Sequence, residues 1–313
     1  MQEILKTLKG FLIQNHKSNH PVLLAYSGGG DSKALLYGLL ELKNQFSLDL
    51  HLAHVDHNWR SSSFSEAQML KKEAEDLNLP FHLHTLPKMA TNNIEEKCRE
   101  LRFLFFQELF QKYSFQALIL AHQRDDVSET VLKRFLEGAD FFSIKAMEEV
   151  TYQRGVTIWR PLLRFAKKEL LDFLQKKNLT AIDDPTNYDP KYQRSNMRVN
   201  IIPNLEQQFG KQISNNLYIA SLRSQEINSY LLKNTNKYFD EKVEGPFGIY
   251  LDFSNFIDMD ELEKRFLIKR LGNYLKLDLS RSTIDRIIAS LKGSFNLQIK
   301  GCKIITYRNF LFF

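Results

Sequence analysis

The chain has 313 residues, of which 43% are hydrophobic and 26% are charged, a length and composition that predict two folded domains with apolar cores. It has neither an apolar run of the roughly 20 residues needed to span a bilayer nor a signal-peptide core near its start, so we expect a cytoplasmic protein without membrane contact. The net charge of +6 favours a polyanionic partner, and the two cysteines, Cys98 and Cys302, form no Cys-x-x-Cys metal or redox motif.

Four short apolar or alternating runs predict β-strands in the first half of the chain. They are "PVLLAYS", "DLHLAHV", "FHLHTL" and "FQALILAH", and helical patterns such as "SSFSEAQMLKKEAEDLNL" and "NIEEKCRELRFLFFQELFQKY" separate them. Strands that alternate with helices predict a parallel, doubly wound α/β sheet covered on both faces. Ligands of such sheets bind at the carboxyl ends of the strands, so the segments after each strand are the first candidates for a site.

Beyond about residue 203 the strand signals become rare and the pattern is mostly helical. We therefore predict a catalytic domain over 1–205 and a second domain over 206–313, made of helices and a small β hairpin. In the second domain "STIDRIIASLKG" predicts a helix with Ser282 as its N-cap and Gly293 as its stop, and "FNLQIKGCKIITYRNFLFF" predicts the hairpin around Gly301.

The loop "SGGGDS" follows a predicted strand and precedes a predicted helix, a context in which backbone amides bind phosphate. It is not a Walker loop, because no lysine precedes the final serine. A carboxylate would repel phosphates unless Mg²⁺ bridged them, so we expect Asp31 to hold Mg²⁺. The expected nucleotide-binding residues are Ser27, Gly28, Gly29, Gly30, Asp31 and Ser32. The alternative is a tight turn in which Asp31 or Ser32 merely caps the next helix.

Two further polar segments follow predicted strands. In "AHQRDDVSET" we expect catalytic roles for His122, Asp125, Asp126 and Glu129, although Asp126 and Glu129 also have capping-box spacing. In "HVDHNWR" too few ligands are present for zinc, so we expect His57, Trp59 and Arg60 to contact nucleotide or RNA, with an ordinary half-buried tryptophan as the alternative.

Positive charge is concentrated near the end of the chain. From Lys264 to Phe313 there are eleven Lys and Arg residues against two acidic residues. A run of charge is usually a solvated face, but this excess favours contact with an RNA backbone. The residues expected to make that contact are Lys264, Arg265, Lys269, Arg270 and Arg281.

The glycine loop resembles the PP-loop of ATP pyrophosphatases, which have the adenine nucleotide alpha hydrolase-like fold. Four downstream segments occur in the order found in bacterial tRNA(Ile)-lysidine synthetases: "HVDHNWR", "AHQRDDVSET", "RPLL" (160–163) and "DDPTN" (183–187). The chain resembles the short form of that family, which lacks the last C-terminal domain. One departure is "RSNMR" (194–198), where Ser195 takes the place of the family's asparagine between Arg194 and Arg198, two further residues that the resemblance assigns to substrate or RNA.

The resemblance implies a two-step reaction on tRNA(Ile) with a CAU anticodon. The wobble cytidine would be adenylated by ATP with Mg²⁺, and free L-lysine would then displace AMP at C2 to give lysidine. It also raises Arg99 and Arg102 to catalytic candidates, whose default explanation is a salt-bridged helix face with Glu95 and Glu96. A homodimer is left open.

Three alternatives remain at this point. A tRNA thiolase of the same superfamily is disfavoured, because Cys98 and Cys302 do not lie in loops suited to persulfide or cluster chemistry. A small-molecule amidating ligase would not need the basic tail. A nucleotide-sensing RNA-binding module would bind ATP without forming AMP.

Overall fold

The structure is a computed structural model that describes residues 2–58, 63–87, 94–183, 189–191, 193–246, 248–256, 259–299 and 301–313. The chain forms two compact units. The first contains residues 1–129 and 146–218, and the second contains residues 130–145 and 219–313. Residues 130–145 thus belong to the second unit although they precede residue 205, and the predicted domain boundary near that residue stays a prediction.

The first unit is an α/β structure. In chain order its elements are α1 (Gln2–Asn15), β1 (Val22–Ala25), α2 (Gly30–Phe46), β2 (Leu50–Asp56), α3 (Ser63–Asp76), β3 (Phe81–Thr85), α4 (Ile94–Tyr113), β4 (Ala117–Ile119), the start of α5 (Arg124–Leu136), β5 (Val150–Gln153), β6 (Val156–Trp159), α6 (Lys167–Lys176), α7 (Gln193–Asn196), α8 (Ile202–Phe209) and the start of α9 (Ile213–Asp240). A π-helical segment, Met197–Ile201, joins α7 to α8.

The six-stranded sheet of this unit has the order β3-β2-β1-β4-β6-β5. Its pairings are parallel except for the β5–β6 pair, which is antiparallel. The predicted doubly wound sheet is therefore confirmed, and the four predicted strands are β1 to β4. The chain builds outwards from β1 to β3 and then returns to place β4 on the other side of β1. This reversal opens a crevice at the carboxyl ends of β1 and β4, where α/β proteins bind ligands.

The central strands are buried because helices cover both faces of the sheet. Val22 and Leu24 of β1 pack into a core with residues of α1, α2 and α6, whereas Leu23 belongs to the core on the opposite face, with residues of α4. A strand buried on both faces cannot alternate polar and apolar residues, which is why "VLLA" reads as an uninterrupted apolar run.

The second unit has helices on one face of an antiparallel sheet. Its elements are the remainders of α5 and α9, then β7 (Val243–Gly245), β8 (Gly248–Asp252), a 3₁₀ turn (Phe253–Asn255), α10 (Glu261–Tyr274), α11 (Arg281–Ser290), β9 (Ser294–Ile299), β10 (Cys302–Tyr307) and β11 (Phe310–Phe312). The predicted hairpin around Gly301 is confirmed as β9–β10, and it is part of a five-stranded sheet of order β7-β8-β11-β10-β9.

The predicted helix near residue 282 is confirmed as α11, but its cap differs. The N-cap is Ser280, whose side chain accepts a hydrogen bond from the Thr283 amide at 3.2 Å, and the helix starts at Arg281. Ser280 and Ser282 are both residues of a type that caps helices, and both precede an apolar stripe. Only the backbone conformation decides which of them is the N-cap. Among the helices that the structure describes, none is long and apolar enough to cross a membrane.

Candidate active site

The glycine loop lies between β1 and α2, at the crevice where the strand order reverses. Its serines brace the loop: the Ser27 and Ser32 hydroxyls are 3.0 Å apart, and Ser32 donates to the Gly29 carbonyl at 3.0 Å. Helix α2 then begins at Gly30 with Gly29 as N-cap and without a side-chain cap. The first amides of a helix have no partner within the helix, so the loop presents donors and a positive helix end to the crevice.

Gly28 requires the absence of a side chain. Its φ is +78°, and a Cβ there would lie 2.7 Å from Leu70 Cδ2 and 2.8 Å from Ile182 Cδ1. The Gly28 carbonyl also accepts a hydrogen bond from the Ile182 amide at 3.0 Å. The segment just before "DDPTN" therefore fixes the shape of the loop.

Asp31 does not act as a helix cap. Its Oδ1 is buried and has no hydrogen-bond partner among the described residues. Burial raises the pKa of Asp31 to about 6, the charges of Asp126 and Asp125 act in the same direction, and those of Lys167 and Arg198 oppose them. A carboxylate with a buried oxygen that accepts no hydrogen bond is a suitable ligand for a cation.

The start of α5 carries the acidic group of the "AHQRDDVSET" motif. Its capping pair is not Asp126 with Glu129: the Gln123 side chain accepts from the Asp125 amide at 2.6 Å, and Asp126 Oδ2 accepts from the Gln123 amide at 2.9 Å. Glutamine is uncommon as an N-cap, so spacing alone favoured the wrong pair. Capping uses one oxygen of Asp126 and leaves Glu129 for another purpose.

The three carboxylates of this motif have different surroundings. Asp125 accepts hydrogen bonds on both oxygens, from the Lys167 amide at 3.0 Å and from the Ser214 hydroxyl at 2.8 Å, so it anchors the N-terminus of α5. Arg198 lies 3.3 Å from Asp126 and donates its Nε to Glu129 Oε1 at 2.7 Å. The structure thus brings together Asp126, Glu129 and Arg198, which were predicted separately, whereas Asp125 is occupied by structural contacts.

Glu129 is the most enclosed of these acids. Its side chain is 2% exposed, and its Oε2 has no hydrogen-bond partner among the described residues. Burial raises the pKa of Glu129, while the charge and hydrogen bond of Arg198 lower it in part. A carboxylate with a raised pKa and one unused oxygen is suited to accept a proton at neutral pH.

His122 faces a group of arginines. Burial lowers its pKa to about 4, Asp126 opposes this, and the positive charges of Arg160, Arg102 and Arg194 lower it further. Burial and then the charge of Arg99 lower the pKa of Arg160 in turn. Of the predicted residues, Arg102 and Arg194 thus lower the pKa of His122, Arg99 lowers that of Arg160, and His122 is neutral at pH 7. Positive charge concentrated beside the acids of α5 suits an anionic substrate group.

Few residues of the site could hold a magnesium ion, and such an ion would have to arrive with nucleotide. Among the described residues there is no cluster of three or more His, Cys, Asp or Glu able to hold a metal alone. Magnesium keeps water and phosphate oxygens as ligands and usually takes only one or two carboxylates from the protein. The unused oxygen of Asp31 and the nearby charge of Asp126 meet that smaller requirement.

The "HVDHNWR" segment is described only in part. His57 follows β2 and is half-buried, and buried Asp56 accepts a hydrogen bond from the Asn58 amide at 2.7 Å. Trp59 and Arg60 lie outside the described residues, as do residues 184–187 of "DDPTN". Their expected contacts with nucleotide or RNA stay predictions.

The basic residues of the second unit largely have internal partners. Arg265 lies 2.8 Å from Glu261 and 3.0 Å from Asp285, and Arg281 lies 3.8 Å from Asp285. Lys269 donates to the Leu279 carbonyl at 2.7 Å, and the Arg270 guanidinium lies 3.8 Å from the centre of the Phe239 ring. Within the described residues Lys264 has no side-chain ion pair. The RNA contacts expected of these five residues remain predictions, and the charge count alone overstates how many of them are unengaged.

Three features of the site were not predicted from the sequence. Lys167, the first residue of α6, lowers the pKa of Asp31 and supplies a positive charge that the loop itself lacks. Arg160 of "RPLL", which had no predicted role, lowers the pKa of His122. Behind the loop, Glu73 accepts from the Tyr26 hydroxyl at 2.7 Å and lies 3.0 Å from Lys33 Nζ. The basic start of "KKELL" was the available signal for Lys167, but the Glu73 contacts depend on tertiary packing.

Comparisons with known proteins agree with this geometry. The PP-loop domain family matches residues 2–205. A tRNA(Ile)-lysidine synthase of Protochlamydia amoebophila (strain UWE25) is 37% identical over 314 residues, which cover 99% of this chain and 68% of the relative. That of Chlamydia pneumoniae is 37% identical over 289 residues, which cover 92% of this chain and 88% of the relative.

A solved structure shares the fold. The U34-tRNA thiolase of Methanococcus maripaludis, determined with its [4Fe-4S] cluster, superposes with a TM-score of 0.60 at 20% identity and covers 72% of this chain and 78% of that one. At this identity the likeness concerns the fold alone. The resemblance inferred from the five motifs is confirmed by the sequence relatives: the chain belongs to the PP-loop domain family and, within it, to the tRNA(Ile)-lysidine synthases.

Proposed function

We propose that the protein joins free L-lysine to C2 of the wobble cytidine in the CAU anticodon of tRNA(Ile), with ATP converted to AMP and pyrophosphate. The observation that carries the proposal is the half-buried Asp31 carboxylate, whose buried Oδ1 is unused, in a glycine loop beside a second acidic group on α5. Phosphate-binding amides and a carboxylate that needs a cation suit one substrate in particular, a nucleoside triphosphate with its metal.

In the first step the cytidine O2 attacks the α-phosphate of ATP, and pyrophosphate leaves. The amides at the start of α2 bind phosphate oxygens, and Lys167 adds positive charge near Asp31. Asp31 and Asp126 would hold Mg²⁺, which would supply positive charge to the transferred group. Neutral His122 remains free to hydrogen-bond to the base or the sugar without adding positive charge.

In the second step the lysine side-chain amine attacks C2 of the adenylated base, and AMP leaves. The amine must first lose a proton, and Glu129 Oε2 is the better placed acceptor because Asp125 has both oxygens engaged. The acidic and arginine groups that flank His122 also match a zwitterion, the acids facing an ammonium group and the arginines a carboxylate.

The cysteines weigh against thiolase chemistry. The whole chain has two, and buried Cys98 belongs to the first unit while Cys302 belongs to the second. An iron–sulfur cluster is usually held by more cysteine thiolates than this chain possesses.

The test combines two products. AMP release is measured from ATP and Mg²⁺ with and without tRNA(Ile) of CAU anticodon and free lysine, while radiolabelled lysine is followed into the RNA. We expect label in the tRNA only when every component is present. AMP formed without tRNA would instead identify a small-molecule ligase, and ATP binding without AMP would identify a sensing module.

A further inference from the structure

The five-stranded sheet of the second unit has two unlike faces. One face carries Leu251, Ile304 and Leu311, which are buried in a core with residues of α10 and α11, and Ile249, which is also buried. Because neighbouring residues of a strand point to opposite faces, the intervening residues lie on the other face. That second face takes no part in the helical core.

This second face is lined with aromatic side chains. The pairing register aligns Phe312 with Tyr250 and with Ile305, and it aligns Phe310 with Tyr307. The ring centroids of Tyr250 and Phe312 are 5.6 Å apart, and those of Phe310 and Phe312 are 6.0 Å apart and stacked. We call Tyr250, Ile305, Tyr307, Phe310 and Phe312 the aromatic sheet face.

Polar and basic groups border the aromatic sheet face. The neighbouring strand β9 places Ser294, Asn296 and Gln298 on this side, all exposed, and Lys303 of β10 pairs with Gln298. Arg308 and Asn309 form the β10–β11 turn, both with positive φ, as a type I′ hairpin turn requires. That turn sets the Arg308 guanidinium over the Tyr307 ring, 5.1 Å from its centre.

We propose that the aromatic sheet face binds unpaired nucleotides of the tRNA substrate by base stacking. The inference rests on the proposed function, because it takes tRNA as the substrate. Rings on a sheet stack bases, adjacent amide and hydroxyl side chains bond to base edges, and bordering cations bind phosphates, which together describe single-strand RNA recognition on sheets. Among the described residues on this side of the sheet, Asp252 is the acidic one. Its Oδ1 accepts a hydrogen bond from the Ser254 amide.

The same features disfavour double-stranded RNA as the ligand. Bases within a helix are already stacked on their neighbours, and A-form RNA presents backbone and 2′-hydroxyl groups rather than base faces. Flat rings gain little from such a surface. Every base has a π-face, so stacking on this surface would be tolerant of sequence.

The test replaces Tyr307 by leucine in the full chain. Tyr307 is 50% exposed, so Tyr307→Leu keeps an apolar strand residue and removes only the ring. We expect the KM for tRNA to rise about tenfold with kcat unchanged, the size typical of losing one stacked base. Tyr307→Phe, which keeps the ring, should match the wild type. Tyr230→Leu, a tyrosine of the same unit that is 64% exposed on α9, is the matched control.

A binding measurement makes the inference independent of the chemistry. The Kd for fluorescently labelled tRNA, measured by anisotropy, should rise for Tyr307→Leu by the same factor at low and at high salt, because stacking releases few counterions. Lys303→Gln should instead lower the salt slope by about one, as loss of a phosphate contact does.

The outcomes are distinct. An unchanged Kd in Tyr307→Leu with native circular dichroism overturns the inference. So does a change from dimer to monomer by light scattering without a change in Kd, which would identify a second copy of the chain as the occupant. If wild-type protein binds tRNA without incorporating lysine, the proposed function fails, and the sheet inference is still decided by the Kd values. If Tyr307→Leu misfolds, Arg308→Asn, which suits the positive φ, takes its place with the same expected direction.

Discussion

Charged side chains are concentrated in two regions, the glycine loop with the start of α5 and the basic helices α10 and α11. The two regions differ in whether these side chains have partners within the protein. In the first region, Asp31, His122 and Glu129 each keep a buried polar atom without a hydrogen-bond partner among the described residues. In the second, Arg265, Lys269 and Arg281 face carboxylates of their own unit. The buried atoms without a hydrogen bond in this region have other partners: Arg265 Nε and Asp285 Oδ1 lie 3.0 Å apart as an ion pair, and the Arg270 guanidinium lies over the Phe239 ring. Unsatisfied buried groups cost stability and persist where a ligand will satisfy them, whereas a count of charges does not distinguish binding from internal pairing.

The largest effect is expected from neutralising Asp31, whose buried Oδ1 has no hydrogen-bond partner among the described residues. Asp31→Asn should lower tRNA-dependent pyrophosphate release on the order of a thousandfold, because electrostatic stabilisation of the transferred group is lost. Asp172→Asn, an exposed carboxylate on α6, is the control and should have wild-type activity. Full activity in Asp31→Asn would remove the magnesium role from this residue.

A second substitution separates the two chemical steps. Glu129→Gln keeps an acceptor for Arg198 but removes the proton acceptor, so lysine transfer should fall about a hundredfold while pyrophosphate release continues. Adenylated tRNA should then accumulate and be visible by mass spectrometry. Exposed Glu108→Gln serves as the control. Equal losses in both steps would assign Glu129 to folding or to ATP binding instead.

The glycine loop can be tested with a pair of matched glycines. Gly28 and Gly155 have φ of +78° and +84°, but only at Gly28 would a Cβ meet other atoms within 4 Å. Gly155→Ala should cost about 1 kcal/mol of unfolding free energy from backbone strain alone, and Gly28→Ala about 3 kcal/mol. Gly28→Ala should also raise the KM for ATP. Equal denaturation midpoints for the two variants would contradict the close packing at Gly28.

The destabilisation caused by the ionised Asp31 carboxylate should be measurable as a pH dependence of the free energy of unfolding. Its pKa is raised from 3.8 to about 6, so the folded state binds the proton more tightly, and ionisation lowers stability as the pH rises from about 4 to about 6. Above about pH 6 the carboxylate is ionised and the full loss of stability is present. Free of nucleotide, Asp31→Asn should therefore be about 2 kcal/mol more stable than wild type at pH 7.5 and equal to it near pH 4 in urea titrations. A difference that does not depend on pH would exclude this origin.

The smallest effects are expected for the basic residues of α10 and α11. Arg265→Gln should lower the stability of the second unit by about 1 kcal/mol, because Glu261 and Asp285 lose their partner. Lys264→Gln should leave stability unchanged and lower the salt slope of tRNA binding by about one. Unchanged tRNA affinity after neutralising Lys264, Arg265, Lys269, Arg270 and Arg281 together would exclude this surface from docking.

The sequence predicted the sheet and the position of the site because both depend on local patterns. Apolar runs such as "VLLA" mark the central strands, and the polar segments after β1 and β4 lie at the crevice because strand ends of a parallel sheet meet at one edge. Contacts between distant residues could not be read in this way. The ion pair between Arg265 and Asp285 depends on tertiary packing, and so does the hydrogen bond from the Ile182 amide to the Gly28 carbonyl.

Caps show the same limit at short range. Gln123 and Ser280 took the N-cap positions that Asp126 and Ser282 were expected to fill, since residues of similar chemistry compete within one turn and the backbone selects among them. The departure at Ser195 could be recognised but not interpreted from sequence. Ser195 is buried, and Arg198 nevertheless reaches Asp126 and Glu129.

The π-helical segment Met197–Ile201 has a consequence for how this region tolerates changes in length. A π turn arises when one residue is added to an α-helix and the chain accommodates it in a wider turn. Arg198 lies in that wider turn and takes its direction towards Glu129 from it. Deleting one residue between 199 and 201 would return the segment to α-helical phase and rotate everything on one side of the deletion by about 100° relative to the other. The direction of Arg198 towards Glu129 thus depends on the length of this segment as well as on the residues in it.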